Sequence, residues 1–244
     1  MAERYAVVTG VSKGLGESIA ANLLSRGFEV IGVGRSAASR LESPTFRLVV
    51  ADLADVATLG AIADSLFDEL ATRRVSSIAV INNAATGGPS GTVGQLDANE
   101  VVASLAVNLA APMIVANSFV RAFRFVAADR RLVNVSSGAA AQPIPGAGTY
   151  NVAKAGLEML TSAIAAEQPA SGLLAIAIRP GIIDTPMQAF MRSQSPERLP
   201  SLSMFQGFHA NRQLVPPDVT AAKIVDRLVV GPIQNGRIYD YAEL

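Results

Sequence analysis

Arg4-Tyr5-Ala6-Val7-Val8-Thr9-Gly10-Val11-Ser12-Lys13-Gly14-Leu15-Gly16 joins a compact apolar run to a glycine-rich turn and then to a segment with apolar residues at helical spacing. This is the order strand, tight turn, helix. Glycines in such a turn let the chain reverse sharply and bring bare backbone close to a phosphate. The N-terminus of the following helix adds unpaired N–H groups and the positive end of a dipole. Gly10, Ser12, Lys13, Gly14, Leu15 and Gly16 are therefore the first candidate phosphate-binding residues. The spacing departs from the commoner G-x-G-x-x-G, so the turn alone is suggestive. Gly10-Val11-Ser12-Lys13-Gly14 also fits G-x-S-x-G, the nucleophile elbow of hydrolases, and Asp184 and His209 follow in the order such a triad needs. That alternative is weak, because the elbow needs an earlier strand and loop to complete an oxyanion hole.

Outward from this turn, short β-branched runs alternate with helical stretches. Strands are expected at residues 4–9, 28–33, 46–50, 77–81, 132–135 and 173–178, with a short last one at 236–239. Helices are expected at 15–26, 55–71, 99–127, 150–166 and 217–229. The alternation implies an α/β fold, one doubly wound parallel sheet of about seven strands with helices on both faces. No linker divides it, so residues 1–244 read as one domain. The stretch 193–215 is irregular, and 186–215 reads as a substrate loop or lid.

The composition narrows the chemistry. Twenty basic and twenty acidic residues cancel, which argues against a nucleic-acid footprint or a basic membrane face. There is no cysteine and one histidine, so disulfides, a cysteine nucleophile and a multi-histidine metal site are excluded. Residues 101–120 are uncharged, but Asn108, Pro112 and Asn117 interrupt them, which favours a packed helix over a membrane span. With no targeting segment visible, a cytoplasmic location is expected.

In dinucleotide folds an acidic residue ending the second strand holds the adenosine ribose. Here Gly34 stands at that place and Arg35 follows. An arginine without a neighbouring carboxylate suits a 2′-phosphate, and Lys13 can add a second charge, so NADP(H) is favoured. Tyr150 and Lys154 are four apart at the start of a helix and share a face. A nearby ammonium is expected to lower the phenol pKa from about 10 and to make Tyr150 a proton donor and acceptor near neutrality. Ser137 follows the fifth strand; Asn82-Asn83-Ala84-Ala85 closes the fourth and Pro180-Gly181-Ile182-Ile183-Asp184-Thr185 the sixth. All these ends converge on the crevice where ligands of open α/β sheets bind.

Together, Thr9 to Gly16, Asp52-Leu53, Asn82-Asn83-Ala84, Asn108, Ser137, Tyr150, Lys154 and Pro180 to Thr185 closely resemble the short-chain dehydrogenase/reductase family over essentially the whole chain. The resemblance implies that Tyr150 is the general acid in carbonyl reduction and that Lys154 binds the nicotinamide ribose and tunes it. It implies that Ser137 holds the reacting oxygen and that Asn108 positions a water behind Lys154. Asp52 and Leu53 would contact the adenine, Asn83 and Ala84 the cofactor, and Thr185 the carboxamide. Ala85 departs from the glycine usual in the family. A binding-only sensor or scaffold is the other reading, and the intact tetrad of Asn108, Ser137, Tyr150 and Lys154 argues against it.

A narrower resemblance, over Ser136 to Ala139, Tyr150 to Met159 and Gly181 to Arg192, is to bacterial benzil reductases and sepiapterin reductase. It implies reduction of one carbonyl of a vicinal diketone. The substrate pocket is expected along 139–144, 187–191 and 193–215, with Ala139, Ile144, Met187, Phe190, Met204, Phe205 and Phe208 favouring an apolar, small-molecule carbonyl. Few charges on 101–120 and 152–166 suggest a homodimer or homotetramer, since the family packs these helices between subunits.

Overall fold

The computed structural model describes residues 3–168 and 172–244. Seven parallel strands form one sheet in the order β3-β2-β1-β4-β5-β6-β7. They are β1 (Glu3–Thr9), β2 (Glu29–Gly34), β3 (Phe46–Val50), β4 (Val75–Asn82), β5 (Asp129–Val135), β6 (Leu173–Arg179) and β7 (Ile238–Asp240). The helices are α1 (Gly14–Ser25), α2 (Val56–Ala71), α3 (Ala98–Leu105), α4 (Ala111–Ala122), α5 (Gly148–Glu167), α6 (Pro186–Arg192), α7 (Leu202–Ala210) and α8 (Pro217–Ile224).

Alternate strand residues feed two separate cores, as the period-2 pleat requires. Tyr5, Val7, Ile31, Ile78, Val80 and Leu132 pack under α2 and α4 with Phe67, Phe119 and Phe123. Ala6, Val8, Val30, Ile81, Val133 and Ile176 pack under α1 and α8 with Ile19, Leu23 and Ile224. Both faces are covered, which is why the strands read as continuous apolar runs. Caps set several helix starts: Asp55 accepts from Thr58 N, and Asp97 from Asn99 N and Glu100 N. The chain order reverses between β1 and β4, and the crevice outside the carboxyl ends of these two strands is the topological switch point.

Several elements differ from expectation. The helix expected at 99–127 ends at Ala122 and is interrupted by a π-helical turn, Ala106–Ala110, that contains Asn108. Ala98–Ala122 is apolar enough by composition to cross a membrane, yet one side of it, including Val115, Ala116 and Phe119, lies in the core against α2. The last strand is shifted to Ile238–Asp240.

The stretch 193–215 is not irregular throughout. It contains α7, whose Leu202 and Phe205 are buried, with Phe205 packed against Ala147, Met191 and Leu199. Only a few apolar residues at i, i+3 spacing carry that helix, and tertiary contact supplies the rest. The excursion leaves and re-enters the fold at one place. Val215 N donates to the Ile182 carbonyl and Asp184 N to the Val215 carbonyl, each at 2.9 Å.

Candidate active site

A cleft of about 1160 Å³ runs across the carboxyl ends of the strands. Its first half is backbone. Gly10, Ser12, Lys13, Gly14, Leu15 and Gly16 line it, with Arg35 after β2, Asp52 and Leu53 after β3, and Asn83 and Ala84 after β4. Gly10 has φ +76°, and a Cβ there would meet Ala84 Cα at 2.9 Å. A Cβ on Gly16 would overlap the Gly10 carbonyl and Asn83 Nδ2, so the turn can close only on bare backbone. Thr9 Oγ1 accepts from the N–H groups of Asn83 and Ala84 at 3.0 Å, and Asn83 Nδ2 donates to the Thr9 carbonyl at 3.0 Å. The β1 and β4 tips are thus tied to each other.

These residues fit a dinucleotide. No side chain caps α1 at Lys13, so its first N–H groups open towards the cleft. Lys13 and Arg35 are exposed on the wall, and neither joins an ion pair among the described residues. Gly34 leaves no carboxylate beside Arg35. Asp52 turns back on its own loop, with Oδ1 accepting from Ala54 N at 3.0 Å.

The middle of the cleft holds Ser137, Tyr150 and Lys154 together on one wall. Ser137 follows β5, and its Oγ accepts from Ala139 N at 3.2 Å. Tyr150 lies in the first turn of α5. Lys154, one turn later, is 2% exposed, and its Nζ donates to the Val135 carbonyl at 2.7 Å. Burial without a carboxylate partner lowers the Lys154 pKa to about 8. Burial raises the Tyr150 phenol above its ordinary value, while its hydrogen bond with Ser137 pulls the other way. The expected lowering by the ammonium is therefore not found. The reason is geometric: Nζ stands 5.6 Å from the Tyr150 ring centroid and is held by the β5 carbonyl. A neutral phenol is still the form that donates a proton to a developing alkoxide.

Asn108 and Ala139 are expected site residues that lie off the cleft wall. The Asn108 side chain is occupied by Thr86: Oδ1 accepts from Thr86 N at 2.8 Å and Nδ2 donates to its carbonyl at 2.9 Å. Asn108 thereby holds the loop after β4 from behind. Ala139 is buried, and its carbonyl accepts from Asn151 Nδ2 at 2.6 Å. The serine-hydrolase alternative fails on position, since Ser12 lines the cleft and neither Asp184 nor His209 does.

The other half of the cleft is side chain. Pro180, Gly181, Ile183 and Thr185 bring β6 onto the wall, and Ile144, Met187, Phe190, Met191 and Phe205 close it. Met204 and Phe208 do not reach it. Sequence reasoning missed the polar members of this half. Ser90 Oγ and Gln188 Oε1 are buried atoms of lining residues without a hydrogen-bond partner among the described residues. Glu100, Ser104, Gln194 and Arg198 also line the cleft. No local signal marks them, because loops and short helices bring them in.

Residues 4–196 match the short chain dehydrogenase family model. The chain belongs to the short-chain dehydrogenase/reductase family. It is an oxidoreductase of a family that uses NAD(H) or NADP(H). Two relatives named benzil reductase ((S)-benzoin forming) match it over nearly full length. The one from Bacillus cereus is 31% identical over 96% of this chain and 98% of its own, and the one from Bacillus subtilis (strain 168) is 32% identical over 97% and 98%. Sepiapterin reductase from Meriones unguiculatus is 31% identical over 96% and 95%. Among solved structures, the KRED1-Pglu enzyme superposes with a TM-score of 0.84 at 28% identity, covering 96% of this chain and 99% of its own. A short-chain dehydrogenase/reductase from Saccharomyces cerevisiae gives 0.81 at 27%, covering 98% and 96%.

Proposed function

We propose that this protein is an NADPH-dependent reductase of an apolar ketone, and that its substrate is one carbonyl of a vicinal diketone such as benzil. The observation that carries the reading is the joining, on one wall, of the Ser137 and Tyr150 hydroxyls with an apolar pocket formed by Ile144, Met187, Phe190, Met191 and Phe205. When bound, the nicotinamide supplies the hydride. Ser137 holds the carbonyl oxygen by a hydrogen bond, Tyr150 passes its proton to that oxygen, and Lys154 keeps the phenol in place from below. Arg35 and Lys13 take the 2′-phosphate, which Gly34 leaves without a competing acid. The names of the bacterial relatives support the diketone.

The protein is further proposed to act in the cytoplasm as a homodimer or homotetramer. Val102, Met113, Val152 and Met159 on α3, α4 and α5 are more than half exposed, an apolar surface suited to a symmetric contact. A monomeric sedimentation profile at micromolar concentration would contradict this. The enzymatic reading is tested by following NADPH oxidation with benzil, other vicinal diketones, a pterin diketone and simple aldehydes, with NADH in parallel. Turnover of a diketone with NADPH alone is expected. Equal use of NADH would remove the Arg35 argument. NADPH binding with no turnover of any carbonyl would leave a sensor.

A further inference from the structure

Glu158 stands one helical turn beyond Lys154 on α5 and is 8% exposed. The two side chains grip consecutive residues at the end of β5. Lys154 Nζ donates to the Val135 carbonyl at 2.7 Å, and Ser136 Oγ donates to Glu158 Oε1 at 2.7 Å. The next residue is Ser137. The same carboxylate receives both arms of Arg179, Nε to Oε1 and Nη2 to Oε2, each at 2.8 Å. Arg179 ends β6 immediately before Pro180, and its other nitrogen lies 3.7 Å from Asp240 on β7. One carboxylate therefore joins the three segments that carry Ser137, the Tyr150–Lys154 pair and the 180–185 turn.

Such a cluster is a poor source of stability, because desolvating a carboxylate and a guanidinium offsets much of their attraction. What it supplies is direction. A bidentate arginine–carboxylate pair fixes both distance and plane, which apolar packing does not. The chemistry is sensitive to that, since an error of about 1 Å in a reacting group can cost on the order of a hundredfold in rate.

We propose that Glu158 is a positioning residue for the reduction, setting the Ser137 hydroxyl against that of Tyr150 and aligning the 180–185 turn with both. It touches no reacting atom and acts through Ser136 and Arg179. The chemistry it serves is the reductase reading above, on which the proposal rests.

The test uses full-length wild type, Ser136→Ala, Ser136→Thr and Glu158→Gln. For each, kcat and KM with benzil, NADPH affinity, Tm and the isotope effect on kcat with NADPH deuterated at the transferred position are measured. Glu158→Gln is expected to lower kcat about tenfold or more and Ser136→Ala about threefold or more. KM and NADPH affinity should stay within about threefold, and the isotope effect should rise as hydride transfer becomes the slow step. Ser136→Thr, which keeps the hydroxyl, restores the rate. Unchanged kcat in both variants overturns the proposal, as does a fall that tracks Tm and NADPH affinity with no change in isotope effect. If Glu158→Gln does not fold, the Ser136 pair decides.

A second readout needs no turnover. The phenol of Tyr150, labelled with carbon-13 at Cζ and identified among the four tyrosines by Tyr150→Phe, is titrated in wild type and Ser136→Ala. Among the described residues, Lys154 is a titratable group that stands against its ring, with Nζ 5.6 Å from the centroid. Loosening Ser137 removes the contact that opposes burial, so the midpoint should move to higher pH. An unmoved midpoint overturns the proposal even if wild type reduces no carbonyl, in which case the reductase reading falls by itself.

Discussion

At one end of the cleft the wall is strand tips and bare backbone; at the other it is the side chains of two short helices. The first end is fastened by hydrogen bonds from the Asn83 and Ala84 N–H groups to Thr9 Oγ1 and by glycines that admit no Cβ. The second is closed by methionines and phenylalanines on α6 and α7, with Ser90 Oγ and Gln188 Oε1 unpaired among the described residues. A group shared by many reactions can be held by backbone that varies little. A substrate has to be met by side chains that can be exchanged. Ser137, Tyr150 and Lys154 stand at the seam.

The seam gives the largest expected effect. Tyr150→Phe should lower kcat by about a hundredfold to ten-thousandfold while NADPH affinity, read by fluorescence titration, stays within about twofold. Retained turnover would remove the proton-donor role. Next is the rigid end. Gly16→Val should abolish measurable NADPH binding and lower Tm, because its side chain would overlap the Gly10 carbonyl and Asn83. An ordinary NADPH affinity would mean that the turn is not fastened as described. Arg35→Ala should raise KM for NADPH about tenfold or more and leave that for NADH nearly unchanged. At the adaptable end the effects should be smaller. Phe190→Ala, partly exposed on the wall, should raise KM for an aromatic diketone about threefold to tenfold with NADPH affinity untouched. A loss of cofactor affinity there would blur the division between the two ends.

The smallest effect concerns stability and pH. Lys154 titrates at about 8 in the fold and near its ordinary value, about 10.4, in the unfolded chain. Between these values the unfolded state binds more protons, so this group makes the fold more stable as pH rises from about 8 to about 10.4. Below about 8 the buried charge is a cost. Lys154→Met should therefore be inactive yet melt higher than wild type at pH 7, and the gap should narrow above pH 8. Parallel melting curves at pH 7 and pH 10 check this; a constant gap would refute it.

The two ends also differ in how legible they were. Thr9 to Gly16, Arg35 and the strand tips could be read because local rules govern them: a glycine turn after an apolar run, and a strand end after a period-2 pattern. The tetrad members Ser137, Tyr150 and Lys154 were legible from order and spacing. Asn108 was found, but the π-helical turn that carries it and its grip on Thr86 were not, because helix periodicity does not mark a widened turn. The Tyr150 pKa was misjudged since sequence gives proximity along a helix but not the Val135 carbonyl that holds Lys154. Helix α7 and the polar atoms of Ser90 and Gln188 escaped for one reason: tertiary contact alone positions them. The Glu158–Arg179–Asp240 cluster spans three distant segments and left no local trace.

The paired bonds between Ile182, Asp184 and Val215 have a consequence for descent and engineering. A segment whose two ends are stapled to each other adds little entropy of closure when it grows, roughly 0.6 kcal/mol for each doubling of its length. Residues 187–214 can therefore change in length at little entropic cost, with Thr185 and the strand tips left in place. An exchange within that segment would have to keep the packing of Met191, Leu199 and Phe205 against Ala147 and Tyr150.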